Sequence, residues 1–143
     1  MLPTATRDSE TDPTSYTKTV VATLLRTHQT ALNASSTFSI PKLSTSDGVS
    51  LAQHFSTAVG SEAIAAANDE AFTVTTLSVD FDVIEIVDMS EESAFARTVP
   101  AGQPQLKSSG KIGEANQELF VLRTEDWGWE IARDGFCSSL PPH

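Results

Sequence analysis

Apolar positions along this chain change their period part-way through. From Tyr16 onward, Val20, Val21, Leu24, Leu25, Ala31 and Leu32 recur at intervals that line one side of an α-helix, and Thr14 or Ser15 is placed to cap its start. The pattern predicts a first helix ending near Ala34. Residues 35–47, SSTFSIPKLSTSD, carry too much Ser, Thr and Pro for a long helix and read as a connector, with a short helical turn around Phe38 to Leu43. Asp47-Gly48 signals a turn, Val49-Ser-Leu51 alternates as a short strand, and Gly60 closes a loop. Ser61 then caps a second helix from Glu62 to about Thr73, with Ile64, Ala65, Asn68, Ala71 and Phe72 along one side.

After that helix the period falls to two. Residues 74–87 are dense in β-branched side chains and predict one long strand, or a strand with a bulge, ending in a turn over Asp88 to Glu92. A strand from Ser93 to about Val99 follows and is closed by Pro100, Gly102 and Pro104, which leaves residues 100–111 as a loop. Ala115 to Arg123 and Trp127 to Phe136 predict a final hairpin. Helices first and a meandering antiparallel sheet last describe an α+β domain whose sheet wraps a helix.

The length of 143 residues suits a single core, and a 39% hydrophobic content fits a globular domain over 14–143 behind a polar tail, 1–13, that carries Pro3 and Pro13. A net charge of -10, with nine scattered Lys and Arg, argues against nucleic acid and anionic lipid as partners. No apolar run approaches the ~20 residues that cross a bilayer. The first residues lack the basic start and apolar stretch of a signal peptide, so a cytoplasmic location is expected. A lone cysteine, Cys137, gives no internal disulfide.

The segment DGVSLAQHFSTAVGSEAI, from Asp47 to Ile64, followed by VDFDVIEIV, ESAFART, ELFVLR and WGWEIARDGF, resembles the SnoaL-like branch of the NTF2-like superfamily. The resemblance spans about Tyr16 to Cys137 and lies in the order and spacing of these motifs. It departs at residues 35–47, where relatives usually have a better second helix. It implies an α+β cone of the NTF2-like or cystatin-like kind: a curved antiparallel sheet folded around the N-terminal helix, with a pocket inside and a homodimer formed through the outer sheet face. It also implies activities such as those of polyketide cyclases, ketosteroid isomerase and scytalone dehydratase, mostly without metal or organic cofactor. The same fold hosts non-enzymatic assembly domains, so the resemblance does not select a reaction.

Proton transfer in such a pocket needs a carboxylate or histidine with a tuned pKa, and a donor for the developing oxyanion. His28 lies on the apolar side of the first helix, four residues after Leu24; Tyr16 is within about 120° of it around the axis. The ordinary reading is a histidine at the helix margin bonded to backbone or water. His54, with Phe55 beside it, occupies the loop that relatives place near the cavity mouth. Asp80 and Asp82 share one strand face, but Val79, Phe81 and Val83 on the opposite face look like core, which favours solvated carboxylates. Glu118, grouped with Phe120 and Leu122, and Asp134 in IARDGF raise the same question of facing.

Arg97 and Arg133 are the forked donors available to a carbonyl or carboxylate, although Arg97 and Glu118 are equally placed for a structural ion pair across neighbouring strands. Phe95, Phe120, Trp129 and Phe136 line an apolar ligand site wherever they face inward, and are core or dimer surface otherwise. No closely spaced Cys/His/Asp set for a metal, glycine-rich phosphate loop or GxSxG elbow is present, so no metal or cofactor is expected. The function expected is a cofactor-independent isomerase, cyclase or dehydratase acting on a small apolar polyketide- or terpenoid-like molecule. The alternative is a non-catalytic dimeric ligand-binding or assembly module, with its interior filled by side chains.

Overall fold

Six threonines stand among the 21 residues of the first helix, α1 (Pro13–Asn33), a composition that favours helix weakly because β-branched side chains lose χ1 freedom there. Thr23, Thr27 and Thr30 each turn their hydroxyl back to the carbonyl four residues earlier, at 3.0 Å. Tertiary packing holds the helix: Val21, Leu25, His28 and Ala31 form a continuous buried stripe. Ser35 ends it in the left-handed region, with φ 54°, while the Ser36 N–H reaches Ala31 O and the Ser35 N–H reaches Leu32 O. That is a Schellman closure with serine in the place glycine usually takes.

The computed structural model describes residues 13–74, 76–101, 116–126 and 128–138. Residues 1–12 of the tail expected over 1–13, most of the loop expected over 100–111, Trp127 and His143 lie outside the described residues, and Pro13, expected to end the tail, opens α1. A short 3-10 turn, Ile40–Leu43, follows α1, within the stretch where a helical turn was expected. The later elements are β1 (Ser44–Ala52), β2 (Ala58–Val59), α2 (Ser61–Val74), β3 (Phe81–Asp88), β4 (Ser93–Pro100), β5 (Asn116–Glu125) and β6 (Gly128–Ser138).

The strands form one sheet in the order β2-β1-β6-β5-β4-β3. It is curved but not closed, and the architecture is the α+β cone expected. Its β3 to β6 part is the antiparallel meander read from the sequence. The β1–β6 pairing is parallel, a correction to the all-antiparallel expectation that follows from joining the first strand to the last. β1 is also longer than Val49 to Leu51, and β2 was not foreseen. Gly48 is required where β1 shifts register, since a Cβ there would sit 3.0 Å from Thr45 O and 3.2 Å from Ser44 Cβ.

The long strand expected over 74–87 shortens to Phe81–Asp88 for a visible reason. Upstream of Phe81 one bond to the chain beyond β4 remains, the Ala101 N–H to Asp80 O at 3.0 Å, and α1 side chains take over the other backbone groups at Val79 and Phe81. Asn33 brackets Val79, accepting its N–H at 2.6 Å and donating to its carbonyl at 2.9 Å, and Gln29 Oε1 accepts the Phe81 N–H at 3.2 Å.

Two cores result. Val21 and Leu25 of α1 meet Phe81, Ala96, Phe120, Leu122 and Ile131 on the concave face of the sheet, and Ala31, Ile40, Ala58 and Ile64 join the end of α1 to β2 and α2. Register shifts between Val83 and Glu85 and between Val121 and Leu122 add local twist and curvature to the sheet. Among the described residues no helix is long and apolar enough to cross a membrane.

Candidate functional site

The concave face of β5 carries Glu118, Phe120 and Leu122 at a period of two, with Phe120 and Leu122 fully buried. Glu118 is therefore held on the core side of the sheet. The bulge in β6 decides what faces it. Ile131 pairs with Leu122 and Arg133 with Val121, so Ala132 is the extra residue. Past it the parity reverses, and Asp134, opposite Phe120, turns inward.

His28 descends from α1 onto this surface. Its Nε2 is 3.9 Å from Asp134 Oδ2, and its ring stands edge-on to Phe120, with centroids 5.6 Å apart and planes at 85°. At 3.9 Å the His28–Asp134 contact is electrostatic and too long for a hydrogen bond. His28, Glu118 and Asp134 each place one N or O atom within 4.8 Å of the others. His28 is 5% exposed, and its Nδ1 has no hydrogen-bond partner among the described residues.

Burial sets the protonation of the cluster. Desolvation pushes the Glu118 carboxyl well above its ordinary value, and the charge of Asp134 and a hydrogen bond to it push the same way. Glu118 in this state is the donor to the Asp134 carboxylate. Desolvation lowers the pKa of His28, against the pull of Asp134, so its imidazole is held neutral. The site thus sets a carboxyl group biased toward its protonated form and an imidazole biased toward its neutral form around Asp134, the pairing that a proton donor and a proton acceptor need.

The other residues singled out in the sequence do not join this cluster. Asp82 pairs with Val99 and is exposed, while Val79, Phe81 and Val83 lie against the core. Arg97 bonds Glu85 at 2.7 Å on the outer face. The alternative of an Arg97–Glu118 ion pair is corrected by register, because Glu118 faces inward opposite the buried Thr98. Arg133 is exposed and donates to Asp47 O and Ala132 O. His54, at φ 71°, and Phe55 are both exposed in the loop after β1. Phe95 is on the outer side of β4, between the buried Ala94 and Ala96.

Phe120 and Phe136 do border the cluster, Phe136 standing opposite Glu118. Tyr16 and Trp129 lie at the other end of α1, where they line a cleft of about 420 Å³ with Thr17, Asp88, Ser90 and Glu91. A second cleft, of about 370 Å³, lies between Phe38 and α2. Neither is lined by the cluster. Asp134 stood in the sequence only as an open question beside Glu118, because strict alternation in WGWEIARDGF puts Arg133, not Asp134, on the face of Ile131.

Solved structures share this arrangement of helix and sheet. A ketosteroid isomerase-like protein from Erwinia carotovora atroseptica superposes with a TM-score of 0.75 at 26% identity, over 86% of this chain and 96% of its own. An NTF2-like protein with a cystatin-like fold from Novosphingobium aromaticivorans gives a TM-score of 0.69 at 18% identity, over 87% and 83%. The fold is the NTF2-like cone. A candidate scytalone dehydratase from Novosphingobium aromaticivorans superposes on the same cone at a TM-score of 0.70 and 16% identity, over 87% and 85%. No family model matches the sequence, and no curated protein matches it.

The protonation pattern has a measurable consequence for the stability of this domain. A carboxyl whose folded pKa is raised contributes stability below its unfolded value, near 4.5 for Glu118, and loses it as pH rises toward the folded value. Urea unfolding of wild type and Glu118→Gln across pH 4 to 8 should show the variant gaining on wild type above about pH 4.5. Parallel curves would mean that Glu118 is an ordinary ionised carboxylate.

Proposed function

We propose that this NTF2-like chain is a cofactor-independent small-molecule enzyme of the SnoaL-like kind, an isomerase, cyclase or dehydratase working by general acid-base catalysis. The observation that carries the proposal is the cluster of His28, Glu118 and Asp134 inside the cone, where apolar packing would otherwise be expected. Ionisable groups are costly in such a place, and tuned acid-base pairs are a common reason for finding them there. In this reading Glu118 delivers a proton, or a hydrogen bond, to an oxygen that gains negative charge. His28, facing Asp134, accepts the proton removed from carbon, and in a dehydration the proton of Glu118 goes to the departing hydroxyl, which leaves as water. Phe120 and Phe136 give the substrate an apolar surround, which suits a polyketide- or terpenoid-like molecule.

Entry to the cluster is narrow. The Asp134 side chain is 13% exposed and that of His28 is 7% exposed. Neither of the two clefts is lined by them, and this observation favours the second reading, a non-catalytic module with a filled interior. The two readings separate on ligand binding. A ligand at 100 times its dissociation constant adds ~2.7 kcal/mol of stability, so thermal melting against polyketide, terpenoid and steroid-like compounds will find one that enters the cone. With a compound so found, Glu118→Gln and Asp134→Asn should each lower kcat by about 10²–10⁴ with KM little changed, while His54→Ala leaves turnover intact. Undiminished turnover in Glu118→Gln would remove its proposed role, and a panel with no binder would favour the module.

A homodimer through the outer sheet face belongs to the same proposal. Ile84, Val87 and Leu119 are exposed there, with Phe95 partly exposed among them. Light scattering at micromolar concentration should give twice the chain mass; a stable monomer would defeat this part.

A further inference from the structure

We infer that the His28, Glu118 and Asp134 cluster is a binding site for one divalent cation of the zinc type, held by one imidazole nitrogen and two carboxylate oxygens. Three protein ligands and one open position are a common donor set for this ion. Its bonds of about 2.0–2.2 Å, arranged tetrahedrally, place ligand atoms about 3.4 Å apart. Here the three atoms already lie within 4.8 Å, and the His28–Asp134 pair at 3.9 Å, so modest side-chain rotations close the site. The ligands come from α1, β5 and β6, elements fixed by the main core, which limits other movement.

The second observation is independent of the acidic pair. His28 is 5% exposed, and its Nδ1 meets no hydrogen-bond partner among the described residues, although a buried imidazole is ordinarily satisfied at both nitrogens. The nitrogen that faces the carboxyl groups is Nε2, 3.9 Å from Asp134 Oδ2 and too far to be hydrogen-bonded to it. Asp134 Oδ1 is itself buried without a partner among the described residues, so donor atoms of two of the three side chains stand uncommitted in the cluster. The donor set and the enclosure select the ion. Magnesium keeps several waters and near-octahedral oxygen ligands, and calcium takes six to eight oxygens, neither of which fits a narrow site with a nitrogen ligand. The bound ion would take both carboxyl groups as carboxylates, releasing to solvent the proton shared between Glu118 and Asp134, and would therefore inhibit the acid-base chemistry proposed for them. That regulatory consequence rests on the proposed function; the binding itself does not.

The test needs no substrate. Titration calorimetry of the folded chain with zinc chloride should give one site per chain, weakened at least about tenfold in Glu118→Gln and in Asp134→Asn, and unchanged in His54→Ala and Cys137→Ser. Circular dichroism of each variant checks that it is folded. Cobalt(II), bound by wild type as a probe, should show the intense visible bands of a four-coordinate ion without a thiolate charge-transfer band. Unchanged binding in both carboxyl variants, a thiolate band that places the ion on Cys137, or no binding at micromolar zinc would overturn the inference. Loss of zinc binding with Glu118-dependent turnover intact would remove the metal site alone; zinc binding without any turnover would leave the metal site and remove the enzyme reading.

Discussion

Everything in this molecule depends on laying α1 across the concave side of the sheet. Val21 and Leu25 supply the apolar contact, closing against Phe81, Phe120, Leu122 and Ile131. The next inward position of the same stripe is His28, so the packing that stabilises the fold also drives an imidazole into the interior. Burial of that ring and of two carboxyl groups costs free energy unless charge is reduced. The cluster reduces it because desolvation favours the neutral imidazole of His28 and the protonated carboxyl of Glu118.

The sheet separates two kinds of electrostatics. On the outer side, Arg123 bonds Asp47 at 2.7 Å and Arg97 bonds Glu85 at 2.7 Å. Arg123 holds the Asp47 carboxyl down at about 2, but both partners are open to water, so the link is an ordinary surface pair. On the inner side water is largely excluded, and the same residue types acquire perturbed protonation. The β6 bulge at Ala132 allocates the charges: it sends Arg133 out and Asp134 in. Without it an arginine would face Glu118's side of the sheet and an ion pair would replace the acid cluster.

Both helices and the β3 to β6 meander were legible from their hydrophobic period, although β3 begins at Phe81 and not at Val74, and the 3-10 turn showed only as a short helical turn within a Ser-, Thr- and Pro-rich stretch. β1 was only partly legible, since its pairing with β6 breaks between Ser44 and Val49 and its Ser- and Thr-rich start gives no alternating signal. The two-residue β2 has too little sequence to carry one. Within the site, His28 and Glu118 could be found, the first from helical spacing and the second from its grouping with Phe120 and Leu122. Asp134 could not be assigned, because a bulge leaves no mark on alternation and reverses facing beyond it. The same reversal explains why Arg133 looked available to a ligand. Asp82, by contrast, was already weighed as solvated from the core character of Phe81.

The most direct measurement is the carboxyl carbon-13 NMR titration of Glu118, assigned by comparison with Glu118→Gln. The buried cluster requires the Glu118 signal to remain that of a neutral acid well above the pH at which the protein's open carboxyl groups ionise, and its midpoint to fall in Asp134→Asn, where the neighbouring charge is gone. A Glu118 signal that ionises with the surface carboxyl groups, indifferent to Asp134, would contradict the central claim that the fold encloses a proton-bearing acid beside His28.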